Sequence, residues 1–322
     1  MLRYIGKRLI LLIPILLGLS LIVQLLIDLT PGDPARIIAG SMGTEEEYQK
    51  IRTDLRLDDP FFVRYATFVT NIMKGDFGRS FATRRDVWDD ISTRFPYTLR
   101  LVAISITLAL SLGIPIGVYA ATHQYTWKDN MAILASLFCV SMPNFWFALL
   151  IVQLFAVQLR LLPPAGADTW RGWVMPVISL ALGFTATIAR QTRSNMLEVI
   201  RQDYIVTARA KGQSEGKVLF KHALKNALIP VIMVAGSIFG ISLGGALVTE
   251  TIFSLPGLGT YVIAGLNGLD YPVIQGAILF LSAMFSTVIL LIDLVFAFVD
   301  PRIRSQFMKR KKREVATDSG QA

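Results

Sequence analysis

Few residues in this chain could carry out chemistry, and their spacing argues against catalysis. There are two histidines, His123 and His222, and one cysteine, Cys139. No metal-ligand spacing and no Ser-His-Asp set can be assembled from them. A single cysteine excludes an intramolecular disulfide, and within an apolar run it reads as a small buried side chain. Gly212-Gln213-Ser214-Glu215-Gly216-Lys217-Val218 comes nearest to a phosphate-binding loop. It is one residue short between its glycines, and Val218 has no hydroxyl for magnesium. ATP hydrolysis by that route is not expected. Asp76-Phe77-Gly78 matches a kinase tripeptide but lacks the Gly-rich loop and HRD partners.

The setting of these residues is apolar. Of 322 residues, 53% are hydrophobic and 17% charged, where a soluble domain carries about a quarter charged. The apolar residues form runs long enough to cross a bilayer core, which takes about 20 helical residues. Six spans can be drawn, at 9–28, 98–121, 131–158, 174–194, 228–249 and 273–299. The first is longer than a signal-peptide core and has no small-x-small cleavage site after it, so it reads as a retained helix.

The formal charge of +9 is distributed by loop. Arg190, Arg193, Arg201, Arg209, Lys211, Lys217, Lys221 and Lys225 cluster between spans four and five. Arg302, Arg304 and the run Lys309 to Arg313 follow span six, whereas residues 250–272 contain neither Lys nor Arg. Positive loops stay in the cytoplasm, which puts both termini inside. The same pattern accounts for the basic charge without nucleic acid. Residues 30–97 then lie outside. Helical apolar spacing over Tyr48–Leu57 and Phe61–Met73 predicts a small helical cap there, punctuated by Pro31-Gly32-Asp33-Pro34, Asp59-Pro60 and Gly75-Asp76-Phe77-Gly78. The chain divides into an N-terminal span (1–29), this outer segment (30–97), a five-helix core (98–300) and a basic tail (301–322).

Ionisable groups are scarce inside the spans. Asp28 and Asp293 lie near span ends, suited to capping or interfacial water. Span three contains Ser141-Met142-Pro143-Asn144. Pro143 should kink the helix, and Asn144 should face protein or a watery path rather than lipid. Ser141, Pro143 and Asn144 are therefore the candidate pathway residues. In span five, Gly236, Gly240 and Gly244 form a stripe that allows close helix packing, and Gly113 and Gly117 repeat the device in span two.

The loop between spans four and five carries the functional signal. Asp203-Tyr204-Ile205-Val206-Thr207-Ala208-Arg209-Ala210-Lys211 predicts a short helix that Gly212 ends in a left-handed conformation. Ser214 suits the N-cap of a second helix running toward Pro230. Tyr204, Ile205 and Ala208 fall on one face as an apolar anchor, flanked by Arg209 and Lys211. The alternating small residues Ala208 and Ala210 favour close docking into another protein over a lipid-facing helix.

This stretch resembles the EAA loop of binding-protein-dependent ABC permeases. Tyr204 to Gly212, Asn226-Ala227-Leu228-Ile229-Pro230, Glu250 to Gly259, Asp270-Tyr271-Pro272-Val273 and Asp300-Pro301-Arg302-Ile303-Arg304 together resemble the dipeptide/oligopeptide permease family, its B-type subunit in particular. The motifs of the outer segment fit as well, so the likeness spans about residues 1–305. Asp203-Tyr204 stands where the generic loop begins with glutamate. Leu162-Pro163-Pro164 and Gly166-Ala167-Asp168 resemble glutathione-type members. The resemblance implies an all-α integral membrane protein with six transmembrane helices and the type I ABC importer permease fold, in a bacterial or archaeal cytoplasmic membrane. It implies an ATPase-coupling loop at 196–227 with Asp203, Tyr204, Ile205, Thr207, Ala208, Arg209, Ala210, Lys211 and Gly212 at its centre. It also implies a homologous second permease, two ATPase subunits that bind ATP and magnesium, and an extracytoplasmic substrate-binding protein. No cofactor is expected in this chain. Di- and oligopeptides, glutathione, nickel and opines are the solutes the resemblance allows. The rival readings are a self-sufficient secondary transporter, with backbone carbonyls binding sodium, and a membrane scaffold or receptor without substrate flux.

Overall fold

The structure is a computed structural model that describes residues 2–39 and 44–299. The basic tail 301–322 and the Asp300–Arg304 motif lie outside the described residues. The helices are α1 (Leu2–Leu29), α2 (Pro34–Ala39), α3 (Glu45–Asp54), α4 (Phe61–Met73), α5 (Val87–Thr122), α6 (Trp127–Ser141), α7 (Asn144–Ile151), α8 (Trp170–Ile200), α9 (Asp203–Ala210), α10 (Glu215–Lys217), α11 (Leu224–Gly245), α12 (Leu247–Ile252), α13 (Leu258–Asn267) and α14 (Tyr271–Val299). Residues Val152–Gln158 and Val218–Ala223 wind as π-helix and extend α7 and lead into α11.

Among the described residues, five helices are long and apolar enough to cross a membrane, and the α6–α7 pair makes a sixth if it counts as one span. That pair corrects the continuous third span. Pro143 has no N–H to donate and its ring blocks the preceding turn, so the helix does not merely kink. It ends at Ser141 and restarts at Asn144 with a bend of 96°. Span two is longer than its apolar core: α5 starts at Val87, because the Asp86 carboxylate accepts from Trp88 N at 2.8 Å and Asp89 and Asp90 complement the helix dipole. The stretch 250–272 contains α13, and α12 straddles its start at the predicted end of span five; the apolar runs predicted neither as a separate helix.

The chain forms two compact units. The first comprises residues 1–105, 142–181 and 241–286. Its core packs Val87, Ile91, Leu258, Tyr261, Val262, Val273 and Ala277, and α1 lies on α14 through Val23, Ile27 and Ile274. Two buried carboxylates tie remote segments in this unit. Asp270 accepts from Ser80 Oγ at 2.6 Å, Phe81 N at 3.0 Å and Ala82 N at 3.1 Å. Glu250, with no exposed surface, accepts from Thr98 Oγ1 at 2.5 Å, Gly259 N at 2.7 Å and Thr260 N at 3.3 Å. Thr98 Oγ1 in turn accepts from Leu258 N at 2.9 Å. A Cβ at Gly257 would run into the Glu250 carboxylate, and one at Gly259 would meet that carboxylate and the Leu247 backbone. Gly257 and Gly259 of Leu255-Pro256-Gly257-Leu258-Gly259 thus make room for the acid seven and nine residues earlier in the chain.

The second unit comprises, among the described residues, 106–141, 182–240 and 287–299. Ala109, Ile188, Val231 and Ala235 form its helix-packing core. Helices α5 and α8 approach each other closely. A Cβ at Gly113 would sit 2.9 Å from Thr185 O, and one at Gly117 would sit 2.5 Å from Thr192 Cβ. The stripe on α11 is divided: Gly236 lies under Ile292, Gly240 is buried, and Gly244 meets nothing within 4 Å. Among the described residues Gly244 therefore packs against no neighbour.

Candidate functional site

The short helix α9 lies in the second unit, between α8 and the π-helical lead into α11. Gln202 precedes it in extended conformation, and Asp203 adds a negative charge at its N-terminal turn. Ile205 and Ala208, one turn apart, point inward. They pack with Val118 and Ala121 of α5, Met196 of α8, and Val218, Ala223 and Ala227. Ile205 has no exposed surface and Ala208 is 7% exposed. This corrects the expected docking face: two of its three members, Ile205 and Ala208, seat the helix on its own chain.

Exposed on α9 are Asp203, Tyr204, Val206, Thr207, Arg209 and Ala210, with Lys211 at its C-cap. Val206 is 56% exposed and Tyr204 42%, with Phe220 of the neighbouring π-helical turn at 64%. Tyr204 is fixed on one side, its hydroxyl accepting from Asn226 Nδ2 at 2.8 Å.

Gly212 ends α9 as the sequence predicts, with φ of +73° and its N–H donating to Arg209 O at 2.9 Å. Ser214 occupies the N-cap position of α10 but makes no side-chain cap bond. The turn is braced instead by Arg209, whose Nη2 and Nε reach Glu215 at 2.6 and 3.1 Å. His222 and Gln213 add a contact of 2.8 Å across the same turn. Arg209 is thus engaged within the loop, while Lys211 is not bound to it by any comparable pair. α9, its turn and the π-helical stretch form a stiff projection anchored by one apolar cluster.

Deeper in this unit, Arg193 of α8 grips Asp129 of α6 through Nε–Oδ1 and Nη2–Oδ2 contacts of 2.5 and 2.7 Å. Asp129 is 1% exposed and also accepts from Tyr125 N at 3.1 Å. Sequence reading counted Arg193 among the loop cations. Its partner lies 64 residues away, and no local pattern marks the pair.

Ser141, Pro143 and Asn144 belong to the α6–α7 break, and all three are exposed. Asn144 is the first residue of α7 and Pro143 its N-cap. In the first unit's segment 30–97, Asp33 accepts from Tyr48 Oη and Arg52 Nη1, both at 2.6 Å. Burial pushes its carboxyl up, but the Tyr48 hydroxyl, the Ala35 N–H and Arg52 outweigh it and hold it below the ordinary value. At Glu250 burial instead wins over the donors Thr98, Gly259 and Thr260 and holds the carboxyl above its ordinary value.

Comparison with known proteins now decides the family. Residues 113–305 match the model of the binding-protein-dependent transport system inner membrane component, and residues 1–102 match that family's N-terminal model. The chain belongs to this permease family. It is 40% identical over 304 residues to the glutathione transport system permease protein GsiC of Escherichia coli strain K12 and of Salmonella typhimurium strain LT2. Those alignments cover 94% of this chain and 99% of each relative. A solved structure, described as a crystal structure of an amino acid ABC transporter with histidines, superposes with a TM-score of 0.50 at 16% identity. It covers 66% of this chain and 94% of that chain, and it shows the shared fold. The protein is therefore a multi-pass inner-membrane permease of an ABC importer. α9 and its turn lie inside the permease match, and α1 to α4 lie inside the N-terminal match.

Proposed function

We propose that this permease forms half of a translocation pathway for peptides or peptide-like solutes such as glutathione, and that α9 is its coupling element. A homologous second permease supplies the other half, an extracytoplasmic binding protein delivers the solute, and two separate ATPase subunits bind and hydrolyse ATP. Both termini lie in the cytoplasm on this reading. The observation that carries the coupling role is the two-sidedness of α9: Ile205 and Ala208 lock it to α5, α8 and α11, while Tyr204 and Val206 face outward. A helix so held passes a push on its outer face directly to three membrane helices. The likeness to GsiC supports the solute class. Asn144, at the break between α6 and α7, is the proposed pathway residue, and Asn144→Leu should impair uptake with assembly intact.

Reconstitution with the partner subunits tests the reading. Uptake of glutathione or short peptides should need ATP and the binding protein, and the purified chain alone should hydrolyse no ATP above background. Uptake by this chain without ATP would establish the secondary-transporter reading instead.

A further inference from the structure

We infer that α4 is an interfacial membrane helix whose exposed face contacts lipid acyl chains at the Leu29 end of α1, rather than part of a solvated cap. The inference rests on the depth at which α4 touches α1. The apolar stretch of α1, Ile10–Leu29, has 20 residues and spans about 30 Å as a helix, the thickness of a bilayer core. The Tyr65 hydroxyl of α4 donates to Leu17 O at 2.8 Å and lies 3.2 Å from Ser20 Oγ. Leu17 is about 18 Å along the axis from Leu29, so the tyrosine tip reaches toward the middle of the core. Phe68, one turn farther along α4, lies beside Leu19, Ser20 and Val23. Arg64 points the opposite way, pairing with Asp28 at 2.5 Å and donating to Asp59 O at 3.1 Å.

With Tyr65 reaching inward and Arg64 reaching outward, the axis of α4 lies between those two levels. That is the depth of about 5–10 Å at which interfacial helices settle. Arg64 behaves as a snorkelling cation with a carboxylate to meet it. The ends of the helix agree: Pro60 opens it, and Gly75, at φ of +82°, turns the chain out of it.

The face turned away from α1 carries large exposed apolar side chains beside the small polar ones of Thr67, Thr70 and Asn71. Phe62 is 76% exposed, Val63 47% and Met73 84%, and Phe62, Val63 and Ala66 border a shallow groove. In water this face would be an unexplained apolar patch. In the bilayer it continues the lipid-facing surface of α1, where Ile22, Leu25 and Leu26 are 54, 49 and 58% exposed. That continuity selects lipid as the occupant.

The test places single nitroxide labels at Val63 and Thr70 of the assembled importer in proteoliposomes, in a Cys139→Ala background. Leu25 and Glu46 serve as lipid and water references. Labels on α4 should collide with oxygen severalfold more than with a water-soluble nickel complex, as at Leu25. Nickel access matching Glu46 would overturn the inference in favour of a solvated cap. Protection from both reagents would overturn it in favour of a protein partner on that face.

Discussion

Glu250 joins three pieces of backbone: the Thr98 region of α5, the end of α12 and the start of α13. Removing the acid leaves those donors buried, at a cost of about 1–3 kcal/mol for each one unpaired. Glu250→Ala should therefore lower the thermal midpoint of the purified chain markedly. Glu250→Gln distinguishes charge from contact. A carboxyl whose folded pKa is raised by burial binds its proton more tightly folded than unfolded. Its contribution is complete below the unfolded value of about 4.3 and is lost as pH rises through the folded value. The midpoint difference between Glu250→Gln and wild type should thus move in favour of the glutamine as pH rises. A difference that is constant with pH would place the proton elsewhere. Gly212 offers a second separation. A Cβ there meets nothing within 4 Å, yet φ is +73°, so the constraint is conformational. Asn tolerates that region and a β-branched residue does not. Gly212→Asn should keep uptake and substrate-stimulated ATP hydrolysis; Gly212→Val should lose both while still assembling. The glycine and its handedness were legible because the reason is local. The Glu250 clasp and the Asp129–Arg193 pair were not, since one sequence does not reveal partners 152 and 64 residues apart.

Among the elements, α9 shows where pattern reading succeeds and where it stops. The helix, its boundaries and its terminating glycine follow from propensity and punctuation. Which face looks inward does not, because Ile205, Ala208, Tyr204 and Val206 are all apolar enough to be either. The core formed with Val118 and Met196 decides it. The consequence is testable. Ala208→Trp forces an indole into a full core, and overpacking typically costs about 1–3 kcal/mol, so it should lower thermal stability of the chain itself. Val206→Asp leaves that core untouched. It should lose ATP-driven uptake while the isolated chain melts as wild type does. Loss of stability in Val206→Asp, with Ala208→Trp unaffected, would reverse the assigned faces. The helices α12 and α13 escaped notice for a different reason: they are shorter than a span, and although Leu258, Tyr261 and Val262 give α13 an apolar stripe, the Glu250 clasp that joins it to α12 comes from chemistry the apolar runs do not register. α4 was predicted at its true bounds, but its depth depends on contacts with α1 that spacing cannot show.

For the whole molecule the open quantity is the number of crossings, and it turns on the 96° bend between α6 and α7. The apolar runs alone count six spans, because composition is indifferent to a break of two residues. If the bent pair crosses once, α8 begins on the side opposite to α6, and the chain crosses six times. If it turns back, the count is five and the termini lie on opposite faces. Charge separates the two. The stretch from Arg201 to Lys225 and the tail after Asp300 are basic, as is the start at Arg3, Lys7 and Arg8, whereas 250–272 has no Lys or Arg. Six crossings put every basic segment on one side; five would strand either the N-terminus or both other basic segments on the wrong one. Single cysteines in a Cys139→Ala background should therefore divide into two groups when labelled in intact cells with an impermeant maleimide. Glu46 and Leu161, the latter 61% exposed, should label from outside. Ser319 and Tyr125, the latter 83% exposed, should label only after the membrane is opened. Leu161 labelling with the same sidedness as Tyr125 would show that α6 and α7 form a re-entrant turn.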